Sequence, residues 1–189
     1  SLIPFLTALE SGYGRLADHI VADAGYDSEE NMDWIEKKGS TVCIKPREYE
    51  YRKTSAFKKK IGHRSNMVYD ADSDTYTCAK GRKLHFVTEK KQRDRDSGYE
   101  RTVRTYQCEN CQYCGKRNQC QPTRTGKKPK QNKMIQYNPY YQSLLDKDYK
   151  FIQSKKGIQL RINRSIQIEG AFGTVKGNYE YRRVRHKIG

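Results

Sequence analysis

The order of apolar and polar positions predicts an α/β unit at the start of the chain. Residues 19–22 are typical of a buried strand, and residues 41–45 of a second strand that ends before Pro46. A helix is expected between them, with Asp27 or Ser28 as its cap and Gly39 as its stop. The core-facing positions of this helix are Trp34 and Ile35. A strand–helix–strand unit of this kind is typical of an α/β sheet.

The pattern changes after the second strand. Residues 47–64 are basic and polar, contain Lys58, Lys59 and Lys60, and are expected to form a loop or a mobile arm. Short alternating segments follow, with turn residues between them. We therefore predict three parts: 1–47 as the first part of a core, 48–133 as an inserted β-rich basic subdomain, and 134–189 as a helical return to the core.

Helical periodicity returns after Asn138-Pro139, a cap followed by a proline in the first turn. One helix is expected over 139–154 and a second over 158–176, with Gly157 as the break. The inward residues of the first helix are Leu144, Leu145, Tyr149 and Ile152. On the second helix, Glu169 falls on a stripe expected to face the sheet, with Ile162, Ile166, Gly173 and Lys176.

Composition and charge point to a polyanionic partner. Only 34% of residues are hydrophobic, and the 38 basic and 22 acidic side chains give a net charge of +16. Basic side chains that neutralise phosphates release counterions and bind nucleic acid without reading its sequence. A solubilising surface is the alternative interpretation. No apolar run is long enough for a membrane span, so we expect no membrane partner and a cytoplasmic location.

A group of cysteines lies within the predicted insertion. The thiols are Cys108, Cys111, Cys114 and Cys120, with Cys78 upstream of them. Two residues between ligands allow a tight knuckle, so these thiols are candidates for a structural Zn²⁺ site. An iron–sulfur cluster and metal-free thiols remain alternatives, although Gln121 stands where an iron–sulfur run normally has proline. Cys43, alone in a strand, is expected to be a small core residue.

Two acidic residues occupy positions where α/β proteins often carry ligand-binding or catalytic groups. Asp23 ends a buried strand, which is where open sheets carry ligand groups, although turn-forming aspartates are also common there. Glu169 lies on the predicted inward stripe of its helix, where a carboxylate needs a metal or a cation as partner. The alternative is a Glu at the edge of the stripe, paired with Arg161, Arg164 or Lys176.

The segments around both acids resemble the motifs of bacterial DDE-class insertion-sequence transposases. Val21-Ala22-Asp23-Ala24-Gly25-Tyr26 is similar to their second-aspartate motif. Arg164-Ser165-Ile166-Gln167-Ile168-Glu169-Gly170-Ala171-Phe172-Gly173-Thr174-Val175-Lys176 is similar to their glutamate motif. The cysteines between them resemble one branch of these enzymes. Related families have Arg four residues before the Glu, whereas here Ser165 takes that position and Arg164 precedes it.

The resemblance implies a partial ribonuclease-H-like core, interrupted by the cysteine-containing insertion. Asp23 and Glu169 would hold Mg²⁺ or Mn²⁺ for phosphodiester cleavage and strand transfer at transposon ends. Arg161 or Arg164 would orient the transposon end, Lys176 would contact a phosphate, and Lys58 to Lys60 would bind DNA backbone. The implied partners are transposon-end and target DNA, and the resemblance allows a homodimer in the transposition complex.

The first aspartate of such a site has no counterpart in this chain. Only Asp18 precedes Asp23, and it lies too close, on the same strand. The chain also begins without Met and ends after a basic run, which is typical of an excerpt. We therefore expect this fragment alone not to cut DNA. The alternatives are a zinc-ribbon-type nucleic-acid-binding module without catalysis and a structural remnant of a mobile element.

Overall fold

A computed structural model of the chain describes residues 2–123 and 131–178. The chain divides into two compact units, which are Ser1–Lys45 with Leu145–Gly189 as unit 1 and Pro46–Leu144 as unit 2. Both helices and strands are present, so the predicted α/β character is confirmed. The ribonuclease-H-like assignment is finer than this and stays a prediction.

Unit 1 contains the predicted strand–helix–strand. Strands β1 (His19–Ala22) and β2 (Thr41–Ile44) pair in parallel, with helix α2 (Glu29–Lys37) between them in sequence. Ser28 caps α2, because its hydroxyl accepts a hydrogen bond from the N–H of Asn31 at 3.3 Å. The core-facing residues of the helix are Met32 and Ile35, whereas Trp34 is half-buried. The strand–helix–strand prediction is therefore correct, apart from one core position.

Three longer helices lie wholly or partly in unit 1. They are α1 (Leu2–Tyr13), α5 (Pro139–Gln153) and α6 (Lys155–Asn178). Leu145 and Ile152 of α5 are buried as predicted, and a carboxylate, Asp148, is buried between them. The break between α5 and α6 falls at Ser154, whose hydroxyl accepts a hydrogen bond from the N–H of Gly157 at 3.1 Å. Gly157 therefore lies inside the first turn of α6 and not at the break.

Gly157 is required by close packing against the end of α5. A Cβ atom at this position would lie 2.1 Å from the carbonyl oxygen of Phe151 and 2.9 Å from Cα of Ile152. Both contacts are to backbone, which cannot move aside as a flexible side chain can. The absence of a side chain here lets α6 begin directly against α5 and sets the path of the helix that carries Glu169.

We expect Gly157→Ala to lower the free energy of unfolding by about 1–3 kcal/mol, because the added methyl overpacks a backbone contact. The measurement is urea unfolding followed by circular dichroism. Gly170→Ala is the control, since a Cβ at Gly170 meets nothing within 4 Å. That variant should be neutral or slightly more stable, because Ala is the better helix former. Equal effects at the two sites would contradict the packing argument.

Unit 2 is built on a five-stranded antiparallel sheet with the order β3-β4-β5-β6-β7. Strands β5 and β6 form a long hairpin with a bulge between Phe86 and Thr88. The strands are β3 (Val68–Asp70), β4 (Thr75–Thr77), β5 (Lys83–Arg93), β6 (Glu100–Cys108) and β7 (Met134–Tyr137). Short helix α3 (Ser55–Lys58) precedes this sheet in sequence, and short helix α4 (Arg117–Cys120) lies between β6 and β7.

Tyrosines and one aspartate organise the core of unit 2. Tyr76 and Tyr106 are buried and contact each other edge to face, with ring centroids 5.0 Å apart. The hydroxyls of Tyr106 and Tyr69 each donate to Asp74 Oδ1 at 2.8 Å, and Arg104 donates to Oδ2 at 2.7 Å. Burial raises the pKa of Asp74, but these hydrogen bonds outweigh it, so that the pKa is lowered.

The basic segment after Pro46 is packed, contrary to the prediction of a loop or mobile arm. Thr54 caps α3 by accepting a hydrogen bond from the N–H of Phe57 at 3.2 Å. Phe57 is buried, with the rings of Tyr51 and His63 against it. Asn66 adds hydrogen bonds to the carbonyl oxygens of Phe57 and Lys60, so the segment is held by a buried ring and by polar contacts. Lys58, Lys59 and Lys60 follow Phe57 and are exposed.

Candidate active site and cysteine cluster

Asp23 directly follows β1, and its carboxylate is exposed. Asp23 Oδ2 lies 3.1 Å from a terminal nitrogen of Arg164 on α6, and 69% of its side chain is accessible. Helix α6 packs against β1 in this unit. The predicted aspartate is therefore tied by an ion pair to the helix that carries the predicted glutamate.

The face of α6 that packs in unit 1 differs from the predicted one. Ile162 and Ile166 are 47% and 65% exposed, and Glu169 is exposed as well. The buried or half-buried positions are instead Gly157, Leu160, Arg161, Arg164 and Ile168. The predicted inward stripe is wrong, because Arg161 and Arg164 lie against the unit, whereas Ile162 and Ile166 point outwards. Glu169 is thus a carboxylate accessible to solvent and not a buried one.

Arg161 supports the end of the preceding helix. One of its terminal nitrogens donates to the carbonyl oxygen of Ile152 at 2.9 Å. The last carbonyls of a helix lack partners within that helix, so a guanidinium there stabilises the helix end. Arg161 and Arg164 therefore both have protein partners in this structure, and their predicted contacts with a transposon end stay predictions.

Asp148 is a buried carboxylate of unit 1 that sequence reasoning missed. Its Oδ1 accepts a hydrogen bond from the N–H of Ile44 at 3.1 Å, and its Oδ2 is buried without a partner. Burial raises the pKa of Asp148 to about 7; the charge of Asp27 adds to this, whereas the Ile44 N–H and Arg161 lower it. The signal was present in the sequence, since an acid at this position interrupts the apolar stripe of α5.

The raised pKa of Asp148 predicts stability that depends on pH. Between the ordinary value of 3.8 and about 7 the unfolded chain loses this proton while the folded chain keeps it. Stability from this group is therefore highest at low pH and falls as the pH rises to about 7, by up to roughly 4 kcal/mol. Asp148→Asn retains an oxygen acceptor for Ile44 and removes the ionisation.

We expect Asp148→Asn to be more stable than the unmodified chain at pH 8 and nearly equal to it at pH 4. Urea unfolding at both pH values measures this difference. Asp72→Asn, at an exposed carboxylate in the β3–β4 turn, is the control and should show little change at either pH. A difference that does not vary with pH would show that Asp148 does not titrate in this range.

Five of the six cysteines line one small cavity in unit 2. The cavity has a volume of about 20 Å³, little more than one water molecule needs. The N–H of Lys80 donates to Cys78 Sγ at 3.4 Å, and that of Lys133 donates to Cys111 Sγ at 3.2 Å. The lining cysteines are Cys78, Cys108, Cys111, Cys114 and Cys120. The structure thus brings together the five thiols that were grouped as one candidate site from the sequence.

The thiols do not form a ready ligand set. Among residues 2–123 and 131–178, no group of three or more His, Cys, Asp or Glu side chains is arranged to hold a metal ion. Burial raises the pKa of Cys108 to about 12; Cys111 and Cys78 act in the same direction, whereas the backbone at Asn110 lowers it. Burial also raises the pKa of Cys120. None of the six cysteines forms a disulfide, so the five sulfur atoms that line the cavity share a space without metal-binding geometry.

Cys43 has the role predicted for it. It is fully buried in β2, and burial raises its pKa to about 11, with the nearby Asp148 acting in the same direction. A thiol in this state is a small core residue without reactivity.

Comparison with known proteins decides the family. A profile of the family described as Transposase DDE domain matches residues 77–187, which is more than half of the chain. The chain belongs to this transposase DDE domain family. The matched part of the DDE domain includes the cysteine cluster and Glu169, whereas Asp23 lies before it. Searches of curated proteins and of solved structures each returned no match.

Family membership confirms the resemblance inferred from the motifs. Transposases act on DNA, and DDE transposase domains generally use divalent metal ions. Within the described part of the DDE domain, no helix is long and apolar enough to cross a membrane. Lys176 lies on α6, but its side chain is outside the described residues, so its predicted phosphate contact stays a prediction.

Proposed function

We propose that this DDE domain contributes Asp23 and Glu169 to metal-dependent cleavage and strand transfer of DNA at transposon ends. One observation carries the proposal: the ion pair between Asp23 and Arg164 ties the end of a parallel strand to the helix that bears Glu169, in a chain of the DDE family. The carboxyl ends of parallel strands are where α/β proteins carry their ligand groups. The proposal includes a partial ribonuclease-H-like core over 1–47 and 134–189, interrupted by 48–133.

The donor chemistry of the two acids fits a hard divalent cation. Both carboxylates are exposed, so that a metal and a DNA strand can reach them. Mg²⁺ or Mn²⁺ held by these carboxylates would activate a water or a 3′-hydroxyl for attack and would neutralise the charge on the leaving oxygen. The resemblance to the DDE motif implies a third acid besides Asp23 and Glu169, and the described residues contain no group of three suitable side chains. For this reason we expect the isolated chain not to cleave DNA.

The remaining roles fall to basic residues of the chain. Arg164 holds the Asp23 carboxylate in one orientation through its contact at 3.1 Å. Arg161 or Arg164 would orient the transposon end, and Lys58, Lys59, Lys60 and Lys176 would contact phosphates. These contacts would position DNA without reading its sequence. A homodimer in the transposition complex and a bacterial, cytoplasmic setting complete the proposal.

The test uses the complete transposase that carries this chain. Asp23→Asn and Glu169→Gln should each lower Mn²⁺-dependent cleavage of transposon-end DNA roughly 100-fold or more, because metal stabilisation of developing charge contributes several kcal/mol. Asp72→Asn, an exposed acid in unit 2, is the control and should cleave normally. DNA affinity in EDTA should be unchanged in all three variants. Normal cleavage by either acid variant would exclude that residue from the active site.

We further propose that the cysteine cavity binds one structural Zn²⁺. The support is the donor chemistry: five thiols line a single small cavity, and backbone N–H groups already point at two of the sulfurs. The thiols must move into ligand geometry and lose protons, so zinc binding should weaken as the pH falls. If the acid variants cleave normally while zinc is present, a zinc-ribbon-type nucleic-acid-binding module without catalysis becomes the better account.

Elemental analysis tests the zinc proposal. The purified chain should contain about one Zn²⁺, and the double variant Cys108→Ser, Cys111→Ser should abolish it, because only three of the five thiols remain and a structural site needs four ligands. Cys43→Ser is the matched control and should retain zinc, since Cys43 lies in unit 1, whereas the cavity belongs to unit 2. A chelator should lower the melting temperature of the unmodified chain. A metal-free chain that melts identically with and without added zinc would overturn the proposal.

A further inference from the structure

The β5–β6 hairpin extends beyond its neighbours in the sheet. Strand β4 pairs with β5 only over Lys83–His85, and β7 pairs with β6 only over Arg104–Gln107. Beyond Thr88, the strands over 89–93 and 100–103 pair only with each other within the described chain. We call residues 89–103 the ribbon. Five residues of antiparallel strand reach about 17 Å, so the ribbon is long enough to enter a groove of a large ligand.

The two faces of the ribbon carry different charges. Because side chains alternate along a strand, the register pairs Lys90 with Val103 and Gln92 with Arg101 on one face. That face continues through Thr88 and Thr105 onto Met134 and Gln136 of β7. Strands β5, β6 and β7 place no Asp or Glu on it. We call this surface the acid-free face, which consists of Thr88, Lys90, Gln92, Arg101, Val103, Thr105, Met134 and Gln136.

The strand acids of the ribbon all lie on the opposite face. Glu89 is 3.5 Å from the guanidinium of Arg104, and Glu100 stands directly across from Arg93. At the turn, Asp94 accepts hydrogen bonds from the N–H groups of Asp96 and Ser97 at 3.0 Å. The acids of the strands are therefore set against basic partners, away from the acid-free face. The remaining acid, Asp96, lies at the tip.

The acid-free face forms an open groove of about 690 Å³. Val103 and Thr105 are buried and form its floor, while Lys90 and Met134 are exposed along its sides. Gln92, Gln136 and Thr88 also line it and offer hydrogen-bond donors and acceptors. Cations beside neutral amides and hydroxyls, without carboxylates, suit a ligand that combines phosphates with polar base edges.

We propose that the acid-free face of the ribbon docks on double-stranded DNA, with Lys90 and Arg101 on phosphates and Gln92 towards base edges. The major groove admits a two-stranded β-ribbon, and glutamine pairs well with adenine there. The net charge of +16 provides the general attraction that brings a duplex to the chain. This inference rests on DNA being the partner of the proposed function. It adds a docking surface separate from the acids and from the lysines after α3.

Neighbouring lysines on opposite faces of the ribbon provide a matched test. Lys90→Glu and Lys91→Glu change the net charge equally, one residue apart, but only Lys90 belongs to the acid-free face. Binding of the full 189-residue chain to a 30-base-pair duplex would be measured by fluorescence anisotropy at several salt concentrations. Loss of one phosphate contact at 0.1 M salt weakens binding by roughly eightfold and lowers the salt slope by about 0.9.

We expect Lys90→Glu and Arg101→Glu each to show at least this loss, whereas Lys91→Glu should change binding less than twofold. Far-UV circular dichroism and melting temperatures check that each variant is folded. Equal losses for Lys90→Glu and Lys91→Glu would overturn the ribbon surface but leave DNA as the partner. An unmodified chain that does not bind duplex DNA would overturn both. Equal competition by single-stranded DNA or RNA would also overturn docking in the duplex groove.

Discussion

A shortage of apolar side chains constrains both units, because only 34% of the residues are hydrophobic. Each unit therefore also relies on hydrogen bonds between polar groups in or beside its core. In unit 1 the Asp148 carboxylate accepts the N–H of Ile44, and in unit 2 Asp74 gathers the hydroxyls of Tyr69 and Tyr106. These bonds hold the end of β2 and the turn between β3 and β4 in place.

The same shortage of apolar side chains explains why Arg161 and Arg164 lie on the packed side of α6. Arg161 closes the end of α5 and Arg164 holds Asp23, so the packed side of the helix is electrostatic as much as hydrophobic. The outer side is left with Ile158, Ile162 and Ile166. The ion pair near the end of β1 thus joins the helix to the strand, and it contacts the carboxylate that we propose as a metal ligand.

The strongest sequence patterns predicted the structure well. The strand–helix–strand of unit 1, helix α5 and the convergence of the cysteines all followed from periodicity or spacing. The packed face of α6 was not predicted. A hydrophobicity pattern ranks isoleucine above arginine, and it does not show that Arg164 forms an ion pair with Asp23. The full length of β5 was also missed, since most of its residues are exposed and polar and carry little hydrophobic signal. Asp148 was missed although it interrupts the apolar stripe of α5, because its backbone partner at Ile44 is distant in sequence.

The raised pKa of Cys108 also affects how readily this thiol is oxidised or alkylated. A thiol with a pKa of about 12, as burial gives Cys108, is ionised in only roughly one molecule in 100,000 at pH 7. The thiolate is the form that peroxides and alkylating agents attack. Cys108 is therefore slow to be oxidised, although four other thiols line the same cavity.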